Sequence, residues 1–301
     1  MERILGLQAT QKEIGTDMLL RRLDLLISNE RVSDRVFVIN ISGASAAGKS
    51  TISKILSSEV PGCAIINMDD YLRGWGIGLL DHDSGDPNRP YFARLNPGVY
   101  DLKKLQEDVI QLKNGKNIER PVFDEITKSP YGTRTFEPPR VLVLEGIYSL
   151  ESPFLELGDV PILIEASLHD RLFRKVVRNS ISYKQNINDI IHIYLTNDEP
   201  TYPYYKDELH AKARLIVNNP LNPVRDFISY PGQQAVSHTS IVHNIFPKTE
   251  HGILHPEERL ELIESENNQM LLVYTVGNKL LINDVINLDT YGLLKNYYEV
   301  K

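Results

Sequence analysis

The residues whose types and spacing could do chemistry begin at Gly43. Gly43-Ala44-Ser45-Ala46-Ala47-Gly48-Lys49-Ser50 fills every fixed position of the pattern G-x-x-x-x-G-K-[ST]. Glycines let such a segment curl until successive backbone N–H groups point inward at phosphate oxygens. A helix starting directly behind it adds the positive end of its dipole, about half a charge. Lys49 brings a full positive charge to β- and γ-phosphates, and the Ser50 hydroxyl can ligate Mg²⁺. A Gly/Ala-rich turn can match this pattern by accident; an apolar strand entering and a helical segment leaving separate this instance from such a turn. The set assigned to the nucleotide is Gly43, Ala44, Ser45, Ala46, Ala47, Gly48, Lys49, Ser50 and Thr51, with ATP and Mg²⁺ as cofactors.

Two acidic positions stand just past apolar runs, where the rim of a parallel sheet would place them. Asp69 and Asp70 follow Ile65-Ile66-Asn67-Met68, and Glu145 follows Val141-Leu142-Val143-Leu144. One carboxylate there can accept a proton from a substrate hydroxyl while another orients a Mg²⁺ shell. Each alone reads equally as a solvated cap of a strand or helix. Their convergence on one phosphate loop favours the chemical reading.

The elements that must hold these residues alternate in type. Arg35 to Ser42, Ala64 to Met68, Val141 to Leu144, Val160 to Ile164 and Leu215 to Val217 are short apolar runs that read as buried strands. Helical periodicity covers Lys49 to Ser58, Asp101 to Asn114, His169 to Ile181 and Tyr202 to Ala213. This alternation predicts an α/β fold with a mostly parallel sheet flanked by helices. Thr16 to Ser28 predicts an amphipathic helix with Leu19, Leu20, Leu23, Leu26 and Ile27 on one face. After Pro223 the composition turns to Pro, Gly, Gln, Ser and His, and then Arg259 to Ile263, Met270 to Tyr274 and Lys279 to Ile282 read as an antiparallel meander. That meander is either a separate module or an extension of the main sheet. The expected segments are a helical extension over 1–34, a phosphate-loop domain over 35–222 and a small β-rich module over 223–301.

Composition narrows the partners. A formal charge of −7 over 301 residues gives no general attraction to nucleic acid or an anionic membrane, so a polyanion must be held by a local basic pocket. Cys63, the single cysteine, excludes an internal disulfide and a thiolate zinc site. No apolar run approaches membrane-spanning length, and the expected location is cytoplasmic. His238, His243, His251 and His255 crowd one loop without ligand spacing, and read as surface or packing residues. Trp75 among Gly74, Gly76 and Gly78 reads as a mobile loop by the acceptor site.

Several motifs together carry a resemblance. The phosphate loop, Met68-Asp69-Asp70-Tyr71, Pro121-Val122-Phe123-Asp124, Leu144-Glu145-Gly146-Ile147 and Arg174-Lys175-Val176-Val177-Arg178-Asn179 resemble the uridine kinase, phosphoribulokinase and pantothenate kinase group. The match runs from about Val36 to Asn219. Ala64 to Asp69, Arg134-Thr135-Phe136-Glu137-Pro138, Glu145 to Ser149 and Tyr202 to Lys206 are similar to uridine-kinase-like domains fused to triphosphate-tunnel domains. The resemblance implies a P-loop kinase that moves a phosphoryl group from ATP to a small-molecule hydroxyl, nucleoside-like in the first instance. It makes Asp69 the general base, Lys49, Arg174 and Arg178 catalytic, and Ser50 and Glu145 the Mg²⁺ partners. Arg171, Arg174, Lys175 and Arg178 recur as one basic helical stripe, which reads either as a phosphate lid or as a solvated face paired with acids. Acceptor-pocket residues would be Asp69, Tyr71, Tyr100, Asp124 and Arg134. Leu95-Asn96-Pro97-Gly98-Val99-Tyr100-Asp101 stands where uridine kinases carry an Asp-His-Pro element before the Phe-Asp that opens the next helix, so Leu95 aligns with the Asp expected to hold ribose hydroxyls. Homo-oligomers are common in the group, and no segment here marks an interface. Two other functions stay open: a regulatory nucleotide-binding module without transfer, and a triphosphate or polyphosphate hydrolase.

Overall fold

Strand β2 (Phe37–Gly43) is buried at all seven residues, which only a strand covered on both faces can be. It lies between β7 (Val160–Glu165) and β6 (Val141–Glu145). The computed structural model describes residues 13–15, 18–19, 21–23, 35–73, 97–124, 129–222, 226–227, 230, 241–264 and 269–300. Trp75, its neighbouring glycines and His238 lie outside these residues.

The main sheet has the order β1-β8-β7-β2-β6-β3, with β1 at Glu13–Gly15, β3 at Cys63–Asn67 and β8 at Leu215–Asn218. All five pairings are parallel. Register puts Ile41 beside Glu145 and Glu145 beside Asn67, so β2, β6 and β3 reach the same rim together. Helices α1 (Lys49–Glu59) and α2 (Leu102–Lys113) pack their apolar faces against this sheet, Leu105, Val109 and Leu112 meeting Ile66, Leu142 and Leu144. Asp101 caps α2 by accepting from Lys104 N–H at 3.1 Å. Of the predicted N-terminal helix, Leu19 and Leu23 are fully buried, as the apolar stripe requires. A two-stranded antiparallel ribbon, β4 (Ile118–Asp124) with β5 (Ser129–Phe136), was not foreseen. Its outer strand is exposed over almost its whole length, so no periodic burial marks it.

The chain divides into two compact units: Met1–Ala44, Gly48–Glu165 and Thr201–Asn219 in the first; Ser45–Ala47, Ala166–Pro200 and Pro220–Lys301 in the second. The second unit holds its own antiparallel sheet in the order β12-β11-β10-β9-β13. These strands are β9 (Ile241–Pro247), β10 (Glu258–Glu264), β11 (Met270–Val276), β12 (Lys279–Ile286) and β13 (Tyr298–Val300). The meander is therefore a sheet of its own rather than an extension of the parallel one. Against it pack α4 (Leu168–Ser182), α5 (Ile187–Ile193) and α7 (Leu288–Tyr297), whereas α3 (Phe154–Leu157) and most of α6 (Glu199–Lys212) belong to the first unit. One core joins Leu172, Phe173, Val176 and Val177 to Leu260, Leu272, Tyr274 and Tyr298. Among the described residues no helix is long and apolar enough to cross a membrane.

Candidate active site

The loop after β2 needs its glycines for space. A Cβ on Gly43 would sit 2.3 Å from the carbonyl oxygen of Ile164 on the neighbouring strand. Gly48, which caps α1, has φ +100°, and a Cβ there would come within 2.1 Å of Asn219 Nδ2. Ala46 also takes a left-handed conformation at φ 60°, the kind of turn from which successive backbone N–H groups can be aimed at an anion. The Lys49 ammonium folds over the loop, donating to the Gly43 and Ala44 carbonyls at 3.0 Å each. Ser50 and Thr51 open α1 directly behind it.

Ser50 Oγ donates to Glu145 Oε1 at 2.6 Å, joining the start of α1 to the end of β6. Glu145 is 4% exposed. Burial pushes its carboxyl above the ordinary glutamate value and the nearby Asp69 charge adds to that, against the opposing hydrogen bond from Ser50 and the charge of Lys49. Asp69 sits just past β3, its backbone N–H donating to Asn67 Oδ1 at 2.9 Å in a turn that the Asn two residues earlier makes possible. The Tyr100 hydroxyl donates to Asp69 Oδ1 at 3.1 Å. The structure thus brings Gly43, Ala44, Gly48 to Thr51, Asp69, Tyr100 and Glu145 to one rim of the first unit.

Other expected residues sit elsewhere. Tyr71 is 2% exposed, and its hydroxyl donates to buried Asp108 at 2.8 Å. Burial and the Asp108 charge push its phenol far above the ordinary value. Its position is that of a core residue. Asp124 ends β4 opposite Ser129, and Arg134 is exposed on β5, directly opposite Arg120. Arg120 itself reaches inward, donating to the Ile65 carbonyl at 2.8 Å and lying 3.8 Å from Asp70.

The basic stripe of α4 lies in the second unit, where carboxylates meet it. Arg171 contacts Glu199 at 2.6 Å and donates to the Tyr194 hydroxyl at 2.9 Å. Arg174 pairs with Asp226 at 2.9 Å, Lys175 pairs with Asp198, and Arg178 donates to Asn179 Oδ1 at 2.9 Å. Sequence reasoning missed the Tyr100 bond to Asp69 and the place of Asn219 beside Gly48. Both join segments far apart in the chain, and only the sheet order reveals them.

A parallel sheet, a phosphate loop at its central strand and acids on the two strands beyond define a P-loop phosphate-binding protein. The chain belongs to the Phosphoribulokinase / Uridine kinase family, which matches residues 38–222. A uridine kinase from Macrococcus caseolyticus is 29% identical over 192 residues, covering 60% of this chain and 86% of that protein. Inorganic pyrophosphatase TTM1 of Arabidopsis thaliana is 29% identical over 220 residues, 71% of this chain but 31% of that protein. TTM2 of the same plant is matched over 30% of its length. The chain thus spans under a third of the length of these two relatives. Among solved structures, YFH7 of Saccharomyces cerevisiae superposes with TM-score 0.51 at 14% identity, over 69% of this chain and all of that one, and supports the fold.

Proposed function

We propose that this protein is a Mg²⁺-ATP-dependent phosphotransferase that moves the γ-phosphoryl group to a hydroxyl of a small molecule, of the uridine or cytidine kind. The observation that carries this reading is the Ser50–Glu145 hydrogen bond at 2.6 Å directly behind the phosphate loop, with Asp69 in the turn that follows the neighbouring strand. A loop that only binds a nucleotide has no use for a base at that rim.

The donor set fits the cofactors. Mg²⁺ is held by one or two carboxylates together with phosphate oxygens rather than by an all-protein cage. Ser50 and Glu145 would supply that set, and among the described residues no group of three His, Cys, Asp or Glu could hold a metal alone. When bound, Mg²⁺ would supply positive charge to offset that developing on the phosphate oxygens. The loop N–H groups and Lys49 hold the phosphates, Lys49 leaving the Gly43 and Ala44 carbonyls to do so. Asp69 takes the acceptor's hydroxyl proton as the new O–P bond forms and the bond to ADP breaks. Positioning and charge neutralisation carry most of the rate. Arg174 and Arg178 enter as charge-neutralising residues, and Asp124 and Arg134 as acceptor contacts. Of the tyrosines, Tyr100 belongs to the site, while Tyr71 serves the core.

A second reading is hydrolysis of pyrophosphate or a triphosphate, favoured by the name of the two Arabidopsis relatives. The test is ADP and phosphate release from Mg²⁺-ATP with nucleosides, sugars and small hydroxy acids, uridine and cytidine first, and Asp69→Ala as control. Acceptor-dependent ADP release that vanishes in Asp69→Ala supports transfer. Phosphate release without any acceptor, or from added pyrophosphate, supports hydrolysis. Nucleotide binding without turnover leaves a regulatory module.

A further inference from the structure

Asp69 lies in a short turn, and a carboxylate that accepts a proton must be held in one rotation to do so. The backbone of that turn is fixed by Asn67. The side chain is met by Tyr100, whose hydroxyl donates to Oδ1 at 3.1 Å from a ring that is 3% exposed. Two ladder-like bonds place this ring. Arg73 N–H donates to the Val99 carbonyl at 2.9 Å and Asp101 N–H to the Tyr71 carbonyl at 2.8 Å, flanking an antiparallel bridge between Leu72 and Tyr100. Tyr148, three residues beyond Glu145, sets its ring edge-on to Tyr100 with centroids 5.5 Å apart at 80°. Among the described residues its own buried hydroxyl meets no hydrogen-bond partner, so Tyr148 supplies shape rather than a competing bond. Gly146 closes the same assembly: a Cβ there would strike the Met68 side chain at 2.5 Å, so the loop after β6 lies against the turn that bears Asp69.

We infer that Tyr100 is the positioning residue of Asp69, its hydroxyl fixing Oδ1 so that Oδ2 accepts the proton of the acceptor hydroxyl. The aromatic that faces this turn must then be tyrosine and not phenylalanine. Turnover therefore depends on the one oxygen atom that holds Asp69. The inference rests on Asp69 acting as the base.

Tyr100→Phe removes that oxygen alone. With Mg²⁺-ATP and uridine, kcat should fall roughly tenfold, the worth of one lost hydrogen bond, with KM for ATP unchanged. The loss should vanish in an Asp69→Asn background, which a merely structural role would not produce. A second readout needs no acceptor. In protein carrying [¹³Cγ]-aspartate, the Asp69 resonance, identified by its loss in Asp69→Asn, should move in Tyr100→Phe and stay in place in Tyr148→Phe. An unmoved resonance overturns the inference, as does an unchanged kcat. Full transfer in Asp69→Asn would overturn the proposed base instead, and the resonance would still decide whether Tyr100 holds that carboxylate.

Discussion

Glu258→Leu should destabilise the second unit by about 3–5 kcal/mol, as for other broken buried pairs. Glu258 begins β10, and neither its side chain nor that of His169 has any exposure. One oxygen meets His169 Nε2 at 3.2 Å and the Tyr274 hydroxyl, and the other accepts from His255 N–H at 2.5 Å. The other nitrogen of His169 meets the Tyr298 hydroxyl at 3.1 Å. Leucine would leave three polar groups without their acceptor, each at about 1–3 kcal/mol when it stays dry. His255 is only partly buried and can turn to water, so His169 and Tyr274 carry most of the loss. Glu258→Gln keeps an acceptor oxygen and should lose about half as much. The assay is urea unfolding followed by near-ultraviolet circular dichroism, which reads the packed tyrosines of this core. A pH series sharpens it. Burial pushes the Glu258 carboxyl up, but the bonds and charge of His169 and the bonds from Tyr274 and His255 outweigh it, and the net shift is downward from 4.5. The unfolded chain therefore takes up this proton first. The stabilisation is present above pH 4.5 and is lost as pH falls through the lower folded value. The wild type should lose stability there more steeply than Glu258→Leu. A loss below about 1 kcal/mol, or equal slopes in the two proteins, would refute the reasoning.

Three further outcomes are expected. Gly48→Ala meets a left-handed backbone and the Asn219 side chain, so about 1–2 kcal/mol of strain and a nucleotide affinity at least about tenfold weaker should appear by calorimetry with ADP. Lys49→Met should leave far-ultraviolet circular dichroism unchanged and abolish most ATP binding, since its ammonium donates to loop carbonyls. Glu145 has the opposite sign to Glu258. Its raised value means the folded state keeps the proton longer, so a stability penalty grows as pH rises from 4.5 through the folded value. Glu145→Gln should melt higher than wild type at neutral pH and lose Mg²⁺-dependent turnover.

Five of the six strands of the parallel sheet were legible because each is a short apolar run ending at a turn, whereas β1 (Glu13–Gly15) carries no such run and falls where a helical extension was expected. Phe37–Gly43, Cys63–Asn67, Val141–Glu145, Val160–Glu165 and Leu215–Asn218 all fall within two residues of the expected runs. The phosphate loop was legible because its chemistry is local. Strand β5 was not, since exposed Ser129 to Thr135 have no apolar alternation. Nor was β9 foreseen, lying directly after a stretch rich in Pro, Gly and His. Tyr71 and Tyr100 were read alike as acceptor contacts. Their hydroxyls part company only in three dimensions, one meeting Asp108 from α2 and the other Asp69. The pairing of Arg171 with Glu199 was equally hidden, for a helical wheel shows a basic stripe and not what faces it.

The make-up of the second core has a consequence for synthesis. A ribosome releases Ala166–Pro200 well before the strands from 258 to 286 exist. Until they emerge, Leu172, Phe173, Val176 and Val177 lack the partners that cover them in the finished unit. A chaperone that shields α4 during that interval would guard the most adhesive surface of the nascent chain. A fragment cut at residue 222, where the family match ends, would keep that surface for good and precipitate. The end of the family match is thus not the end of the folding unit, and any expression of the matched segment has to carry the chain through Tyr298.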